Sequence, residues 1–367
     1  MNIEKVVKAF GFEELVEYAP VGEGHIHSTY RITVKENGGE KRHLLQQVNT
    51  YVFKNPVELM ENIKGITSFL AKKITEAGGD ASRETLQLLD TADGRSFYTD
   101  DDGLCWRCYN YIENAYSLEE ITCPEESYRS AKAFGTFSKL LADYPIDSLH
   151  ETIVNFHNTV SRFADFKKAY EDDISGRVCT AKEEAEFFFA RKKDCGVLLD
   201  LLKEGKLPLR VTHNDTKLNN VMFDKDTDRG LCVVDLDTVM PGLSLYDFGD
   251  AVRFSANTAT EDERDLSKVS LSLEYFEAYV RGYLEAAGDA LTDAEIEYLP
   301  FASKLLTLEC GMRFLGDYFN GDVYFKISAP DGNLVRARTQ ISLVADMEKK
   351  MDEMKAIVAK CRKELDL

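Results

Sequence analysis

Residues 213–220 place several polar side chains at a spacing that suits one kind of chemistry. The stretch reads HNDTKLNN and has the H-x-D-x-x-x-x-N pattern of phosphoryl-transfer loops. In that pattern the Asp takes or orients a hydroxyl proton and the Asn holds Mg²⁺. A tight loop can bring one carboxylate to the attacking oxygen and one amide to a nearby metal. We therefore predict Asp215 as a catalytic residue and Asn220 as a Mg²⁺ ligand.

A second carboxylate supports the same prediction. Asp235 ends the apolar run LCVVD, so we expect it at the mouth of a hairpin beside the loop, where a second Mg²⁺ ligand is needed. Asp237 remains open as a further ligand. The D-F-G that begins at Asp247 has no apolar strand before it and opens the predicted helix DFGDAVRFSA. A structural role at a helix N-terminus is therefore predicted for Asp247.

The segment GEGHIHSTY contains a glycine pair between two predicted strands. A dinucleotide-binding fingerprint would precede a helix, and the chain has no G-x-x-x-x-G-K-[ST] motif. Gly22 and Gly24 therefore predict a glycine-rich hairpin that covers the phosphates of ATP. His25 follows this hairpin directly and is predicted to contact the substrate. His43 and His157 are expected to be ordinary surface or core histidines.

The elements that must position these residues change in character along the chain. Strand patterns dominate residues 1–112, with one helix that begins at Pro56. Helical periodicity dominates residues 113–367, where Thr292 and Glu295 form a capping box. The helix that begins at this capping box is expected to run through LLTLECGMRFLGDYF. Between the helices lies one segment of two strands and a polar loop, from LRVTHNDTKLNNVMFD to LCVVDLDT.

This order predicts an α+β, protein-kinase-like two-lobed fold. The small lobe has an antiparallel β-sheet with one helix and binds the nucleotide, and the larger, mainly helical lobe carries catalysis and substrate binding. We expect a hinge near residues 109–113, with Tyr109 and Ile112 contacting ATP.

Composition excludes some partners. The net charge of −19 argues against nucleic acid and anionic membrane surfaces, which require a basic face. No apolar stretch is long enough to span a bilayer, and the N-terminal residues lack the apolar core of a signal peptide, so a cytoplasmic protein is expected. We also expect a monomer or a weak homodimer. The eight cysteines are expected to be reduced, and the C-x-x-C at Cys105 and Cys108 lies in a predicted strand.

The motifs, in this order, resemble the aminoglycoside phosphotransferase and choline kinase superfamily. The segments GHIHSTY, LLQQVNT, LRVTHNDTKLNN, VVDLDTVMPG, DFGDAVRF, ECGMRFLGDY and NLVRARTQI are similar to the N-acetylhexosamine 1-kinases over nearly the whole chain. The resemblance implies that ATP and Mg²⁺ phosphorylate the anomeric hydroxyl of N-acetylglucosamine or N-acetylgalactosamine. It also implies that His213 braces the catalytic loop and that the sugar-site residues are His25, Asp215, Arg313 and Tyr324.

One departure from the superfamily concerns the lysine of strand three that grips the phosphates. Its position falls near Gln46 or Gln47 in HLLQQV, so Lys217 is predicted to supply the missing cation at the γ-phosphate. Three alternatives stay open. They are a kinase for choline, homoserine or an aminoglycoside, a pseudokinase that binds ATP without turnover, and a metal-dependent hydrolase that uses Asp215, Asp235 and Asp237.

Overall fold

The computed structural model describes residues 2–21, 26–36 and 38–367. The predicted Gly22, Gly24 and His25 lie outside the described residues. The chain divides into two compact units. The first unit comprises Met1–Ser117, Asp143–Val154 and Val221–Pro241, and the second comprises Leu118–Ala142, Asn155–Asn220 and Gly242–Leu367.

The helices and strands are numbered in chain order. The strands are β1 (Glu14–Pro20), β2 (Ser28–Glu36), β3 (Gly39–Val48), β4 (Leu88–Leu89), β5 (Tyr98–Thr99), β6 (Cys105–Asn110), β7 (Ala115–Ser117), β8 (Arg210–Thr212), β9 (Val221–Asp224), β10 (Gly230–Val233) and β11 (Met240–Gly242). The α-helices are α1 (Ile3–Ala9), α2 (Pro56–Glu76), α3 (Ala81–Glu84), α4 (Pro124–Leu140), α5 (Thr159–Asp172), α6 (Lys182–Ala190), α7 (Val197–Lys203), α8 (Ser244–Ser255), α9 (Leu273–Ala287), α10 (Asp293–Glu297), α11 (Leu299–Asn320) and α12 (Gly332–Glu364).

The first unit is built on an antiparallel sheet in the order β1-β2-β3-β6-β4, with β5 paired to β6. The predicted hairpin of β2 and β3 is confirmed, and its register runs from Ser28 opposite Gln47 to Glu36 opposite Gly39. Alternating apolar residues of these strands are fully buried, among them Ile32. The period of two therefore places one face of the sheet in the core.

The sequence predicted one helix in this unit, and that prediction is incomplete. The predicted helix is α2, which Asn55 caps and Pro56 opens. The structure adds α1 and α3, which are seven and four residues long, too short for a clear helical periodicity. The apolar residues of α1 pack with Ile32 and Trp106 in one core.

The hairpin of β9 and β10 also belongs to the first unit. β9 pairs with both β10 and β7. Strand β7 lies beyond residue 112, and the first unit extends to Ser117. The unit also includes residues 143–154 and 221–241. These units therefore do not follow the predicted boundary between residues 112 and 113, and the roles assigned to the two lobes stay predictions.

The second unit is helical, and α11 lies within its core. Nineteen of the 22 residues of α11 are buried, and it packs against α12, α8 and α5. Helix α4 packs along α9, where a Cβ added to Gly282 would come within 2.3 Å of the carbonyl oxygen of Tyr128. Glycine at this position thus permits the close approach of the two helices.

Two predicted helices of this unit are interrupted. The capping box of Thr292 and Glu295 is present, but α10 ends at Glu297 and α11 begins at Leu299. Pro300 explains the break, because it lacks the N–H that a continuous helix needs. The helical periodicity of AKEEAEFFFARKKDCGVLLDLLKEG also predicts one helix, and the structure divides it by a 3₁₀ turn at Lys192–Gly196. No helix of residues 2–21, 26–36 or 38–367 has the length and apolar character needed to cross a membrane.

Candidate functional site

The predicted catalytic loop lies between β8 and a 3₁₀ turn at Leu218–Asn220. The structure brings Asp215, Lys217 and Asn220 together within it. The ammonium of Lys217 lies 2.8 Å from one carboxylate oxygen of Asp215 and 3.1 Å from the other. The amide nitrogen of Asn220 donates to the carbonyl oxygen of Asp215 at 2.8 Å. Asp215 is partly exposed, so a reacting hydroxyl can reach its carboxylate.

Asp247 holds the backbone of this loop. Its two carboxylate oxygens accept hydrogen bonds from the amides of His213 and Asn214 at 2.8 and 2.7 Å. Its carbonyl oxygen accepts a further bond from the hydroxyl of Thr216 at 2.7 Å. Asp247 lies in the first turn of α8, where a structural role was predicted. Its carboxylate, however, binds the backbone of the loop at residues 213–214. Burial raises the pKa of Asp247. The His213 side chain and the hydrogen bonds from the two amides act in the opposite direction but do not cancel the rise.

The side chain of His213 supports the loop from within. It is fully buried, and its Nδ1 accepts a hydrogen bond from the amide of Asp215 at 3.3 Å. Its ring lies edge-on to Phe134 and Phe137, with centroids 5.8 and 5.9 Å away. These contacts fix the imidazole beneath Asp215, and the bracing role that the resemblance implied stays a prediction.

A second support of the loop was missed by the sequence analysis. The Nε2 of His157 lies 3.1 Å from the carbonyl oxygen of Asn214, and its Nδ1 lies 2.7 Å from Glu309. The other carboxylate oxygen of Glu309 accepts from the hydroxyl of Thr159 at 2.6 Å. The interpretation of His157 as an ordinary histidine could not foresee this, because its partners lie far away along the chain.

Arg313 and Tyr324, the predicted sugar-site residues of the second unit, are close neighbours. The guanidinium carbon of Arg313 lies 5.8 Å from the ring centroid of Tyr324, 5.7 Å from that of Phe156 and 5.5 Å from that of Phe325. Tyr324 is 64% exposed. The ring of Phe156 also contacts that of His157, with centroids 4.7 Å apart. The aromatic cluster around Arg313 is thus connected, through His157, to the catalytic loop.

Asp317 fixes the segment that carries Tyr324. Its carboxylate accepts hydrogen bonds from the backbone amides of Val323, Tyr324 and Phe325 at 3.0, 2.9 and 2.9 Å. The amide of Asn333 donates to it as well, at 2.9 Å. Asp317 is buried, so one side chain ties this segment to α11 by three hydrogen bonds and also accepts one from α12.

The first unit contains a buried charged cluster around Gln46. Arg107 lies opposite Gln46 in the register of β3 and β6, and its Nε donates to the Gln46 side chain at 2.9 Å. The guanidinium forms two hydrogen bonds with Asp237, the longer at 2.7 Å. The Nε2 of His27 lies 2.7 Å from Asp237, and the amide of Asn49 donates to its Nδ1 at 3.0 Å.

The charges of this cluster decide the state of Asp237. Burial disfavours its ionisation, but the charge and hydrogen bonds of Arg107, with His27, hold its pKa well below its usual range. Both oxygens of Asp237 accept from nitrogen donors, so this residue is better suited to anchoring a turn than to binding a metal. Sequence reasoning could have noticed Arg107 as a charge within the apolar strand pattern LCWRCYNYIE.

The remaining predicted residues of the first unit differ in exposure. Asp235 follows β10, has a φ of 60° and is exposed at the start of the 3₁₀ turn Leu236–Thr238. Tyr109 and Ile112 are 2% and 7% exposed, and Tyr109 pairs with Leu44 within the sheet. Their predicted contacts with ATP are not tested by these positions.

Asn220 and Asp235 have the chemistry that Mg²⁺ prefers, because the ion binds hard oxygen ligands. The amide nitrogen of Asn220 is directed to Asp215, so its oxygen is the atom that could serve a cation. The two residues belong to different units, and their pairing at one metal stays a prediction. Within the described residues, no group of three or more His, Cys, Asp or Glu side chains could hold a metal ion.

Comparisons with known proteins concern the fold and the family of part of the chain. The phosphotransferase enzyme family matches residues 124–294, which include the catalytic loop. A spectinomycin phosphotransferase, solved with ADP and spectinomycin, has a TM-score of 0.57 at 11% identity over 95% of this chain and 97% of its own. A choline kinase from Cryptosporidium parvum has a TM-score of 0.54 at 11% identity over 94% and 92%. An ethanolamine kinase from Plasmodium vivax has a TM-score of 0.52 at 16% identity over 88% and 82%.

At such identities the structural likeness concerns the fold, and the predicted α+β, protein-kinase-like fold is confirmed. The family match supports the broader resemblance to the aminoglycoside phosphotransferases and choline kinases. Over residues 124–294 the chain matches the phosphotransferase enzyme family, and it has the fold of the phosphotransferases and small-molecule kinases to which it is similar.

Proposed function

We propose that this protein is an ATP- and Mg²⁺-dependent kinase that phosphorylates the C1 hydroxyl of N-acetylglucosamine or N-acetylgalactosamine. One observation carries the proposal. Arg313 and its aromatic neighbours are connected through Phe156 and His157 to the loop of Asp215. An acceptor held on this cluster would lie in the same unit as the catalytic carboxylate.

The charge of the cluster favours a neutral acceptor. A second arginine, Arg162, donates to the carbonyl oxygen of Phe156 at 2.8 and 2.9 Å, and burial together with the nearby Arg313 lowers its pKa. Two arginines beside Phe156 repel a quaternary ammonium or a polyamine, which argues against choline and aminoglycosides. Guanidinium donors and exposed aromatic faces suit the hydroxyl, carbonyl and apolar faces of an N-acetylated sugar.

The residues of the loop account for the transfer step. The oxygen of the acceptor hydroxyl forms a bond to the γ-phosphorus, the bond from that phosphorus to the bridging oxygen breaks, and ADP leaves. Asp215 orients the hydroxyl and accepts its proton. Lys217 supplies positive charge beside the carboxylate, where negative charge gathers on the transferred group. An anomeric hydroxyl is more acidic than an ordinary alcohol, so orientation contributes more than proton removal.

The proposed ATP side uses the first unit. Gly22 and Gly24 would cover the phosphates, and Gln46, Tyr109 and Ile112 would contact the nucleotide. Asn220 and Asp235 would hold Mg²⁺, which neutralises phosphate charge when bound. Gln46 brings no charge, and the nearest buried cation in its unit, Arg107, is directed to Asp237. Lys217 is therefore the cation proposed for the γ-phosphate.

A panel of acceptors tests the proposal. ATP consumption would be measured with N-acetylglucosamine, N-acetylgalactosamine, choline, homoserine and an aminoglycoside, with Asp215→Asn as the control. Turnover of either sugar, with a product whose ³¹P NMR signal couples to the C1 proton, supports it. Phosphate on C6, or turnover of homoserine or choline alone, removes the sugar assignment and keeps the kinase. No ATP consumption with any acceptor favours a pseudokinase.

A further inference from the structure

The ring of His157 faces a hydrogen-bond acceptor at each of its two nitrogens. Its Nδ1 lies 2.7 Å from a carboxylate oxygen of Glu309, and its Nε2 lies 3.1 Å from the carbonyl oxygen of Asn214. A neutral imidazole carries one donor and one acceptor, whereas an imidazolium carries two donors. A carbonyl oxygen can only accept. Both contacts are therefore satisfied together when the ring carries two protons.

The surroundings of His157 favour that charge. Its side chain is buried, and Glu309 is 1% exposed. Burial disfavours the imidazolium, but Glu309, Asp250 and the hydrogen bond to Asn214 together raise the pKa of His157. Burial also disfavours the Glu309 carboxylate, and His157 and Thr159 reverse that effect and lower its pKa. The two directions agree with an ion pair.

Every packed element contributes charged or titratable groups to this environment. Three carboxylates act on the ring, those of Glu309, Asp250 and Asp247. The ring of Tyr246 lies with its centroid 5.5 Å away. Cations partly offset these carboxylates. Arg253 and Lys217 act on Asp250, and Arg313 acts on Glu309. Of these groups, Glu309 contacts the ring directly.

The other contact of His157 reaches the residue before Asp215. Asn214 has a φ of 63°, a conformation that costs energy for a residue with a Cβ and persists when its surroundings hold it. Asp247 holds the amide of Asn214, and His157 holds its carbonyl. The carbonyl belongs to the peptide that leads into Asp215, so the orientation of that peptide depends on His157.

We propose that Glu309 keeps His157 in the imidazolium form, and that His157 acts through the Asn214 carbonyl as a positioning residue for Asp215. The protonation state stands by itself, and the catalytic consequence rests on the proposed function. His157 touches no reacting atom. Its contribution is to keep the Asp215 carboxylate at one position, where a displacement of about 1 Å can lower the rate about 10²-fold.

The protonation state is tested without turnover. The full-length protein would be labelled with ¹⁵N-histidine, and its ring nitrogens followed by NMR from pH 6 to 9, with His157→Gln assigning the signal. His43 is a matched control in the same spectra. It is 1% exposed, its Nε2 lies 3.0 Å from Glu36, its Nδ1 has no partner among the described residues, and burial lowers its pKa.

We expect His157 to remain doubly protonated at pH 8, where a free imidazole of pKa about 6.5 is neutral, and His43 to be neutral there. A neutral His157 at pH 7 overturns the proposal. In Glu309→Gln the His157 signal should titrate at lower pH. Should that variant not fold, Glu309→Asp keeps the charge but shortens the side chain, which weakens the contact with Nδ1 of His157 and should lower the titration in the same way. An unchanged titration in the variant that folds overturns the assignment.

Kinetics test the positioning role. For Glu309→Gln, kcat should fall up to about 10²-fold relative to the wild type as pH rises, while KM for ATP stays unchanged. The ratio of the two kcat values should follow the titration of His157 seen by NMR. A ratio that is constant from pH 6 to 9 overturns the positioning role. If the wild type turns over no acceptor, the proposed function fails and the NMR result still decides the protonation state.

Discussion

Replacing Arg107 by methionine should strongly destabilise the first unit. Arg107 and Asp237 are 1% and 3% exposed, and methionine keeps much of the apolar stem while removing the charge. The change deletes two charge-assisted hydrogen bonds to Asp237, each of which contributes about 1.5–3 kcal/mol. It leaves the Asp237 carboxylate buried with His27 as its remaining partner. Breaking a buried ion pair in this way costs about 3–5 kcal/mol, and we expect a loss of that size.

The double variant Arg107→Met/Asp237→Leu measures the coupling energy between Arg107 and Asp237, apart from the cost of each single substitution. Replacing both members of a buried pair by apolar residues is often neutral, so the double variant should recover most of the loss. The resulting coupling energy should be at least about 2 kcal/mol, near the upper part of the range for contacting residues. Arg42→Met is the matched control, because Arg42 binds Glu113 through its guanidinium on the surface of the same sheet. Its cost should stay below about 1 kcal/mol.

Urea unfolding followed by tryptophan fluorescence provides the assay. Trp106 is the only tryptophan of the chain. It is fully buried beside Arg107, and its indole donates to Asp100 at 2.8 Å. The signal therefore reports on the first unit. A loss below about 1 kcal/mol for Arg107→Met, or a double variant no more stable than the single one, would refute the argument that Arg107 neutralises Asp237.

Further predictions concern the second unit and the proposed metal ligands. Asp215→Asn should lower kcat by about 10²–10⁴-fold with the fold retained, and near wild-type turnover would contradict its role. Asp235→Ala should abolish Mg²⁺-dependent activity and leave the protein folded, because the side chain is exposed. Asp247→Asn should lower the melting temperature, because only one of the two polar atoms of an Asn side chain can accept a hydrogen bond. An increased Mg²⁺ requirement at unchanged stability would mean that Asp247, and not Asp235, is the metal ligand. Arg313→Ala should lower kcat/KM for the sugar about 10²-fold, or roughly 2.7 kcal/mol, with KM for ATP as the control, and equal losses for both substrates would count against it.

Features that depend on neighbouring residues were predicted well from the sequence. The β2–β3 hairpin, α2 and the capping box at Thr292 each follow from patterns within a few residues. The proximity of Asp215, Lys217 and Asn220 is local in the same sense, because the three lie within six positions. Their chemical roles stay predictions. A local pattern is read correctly when the contacts that enforce it are local as well.

Features that depend on distant contacts were missed. The sequence around His157 shows no informative pattern. The contacts of its ring are with Glu309 and Asn214, which are 152 and 57 positions away. The D-F-G at Asp247 was correctly placed at a helix start, but a sequence cannot show that its carboxylate reaches two amides more than 30 positions earlier. The one general signal was a charge inside an apolar element, as for Arg107 in β6 and Glu309 in α11, since such charges are rarely buried without a partner.

Under the proposed function, helix α11 would let the second unit position an acceptor without rearranging. Glu309, Arg313 and Asp317 follow one another at intervals of four, so they lie within about 80° of one another around the helix and span about 12 Å along it. Each holds a different part of the candidate site. Glu309 holds the His157 support of the catalytic loop, Arg313 lies among the aromatic rings, and Asp317 ties down the segment of Tyr324.

A helix that is buried over most of its length moves as a rigid element, because its neighbours are close-packed. The distance from the Arg313 cluster to the loop of Asp215 is therefore set by one piece of secondary structure. Under the proposed function, selectivity for the acceptor would come from a preformed arrangement of charge and aromatic surface within the second unit. A cationic acceptor would have to overcome the charge of Arg313 in place, since the helix that carries it cannot withdraw without also displacing Glu309 and the catalytic loop.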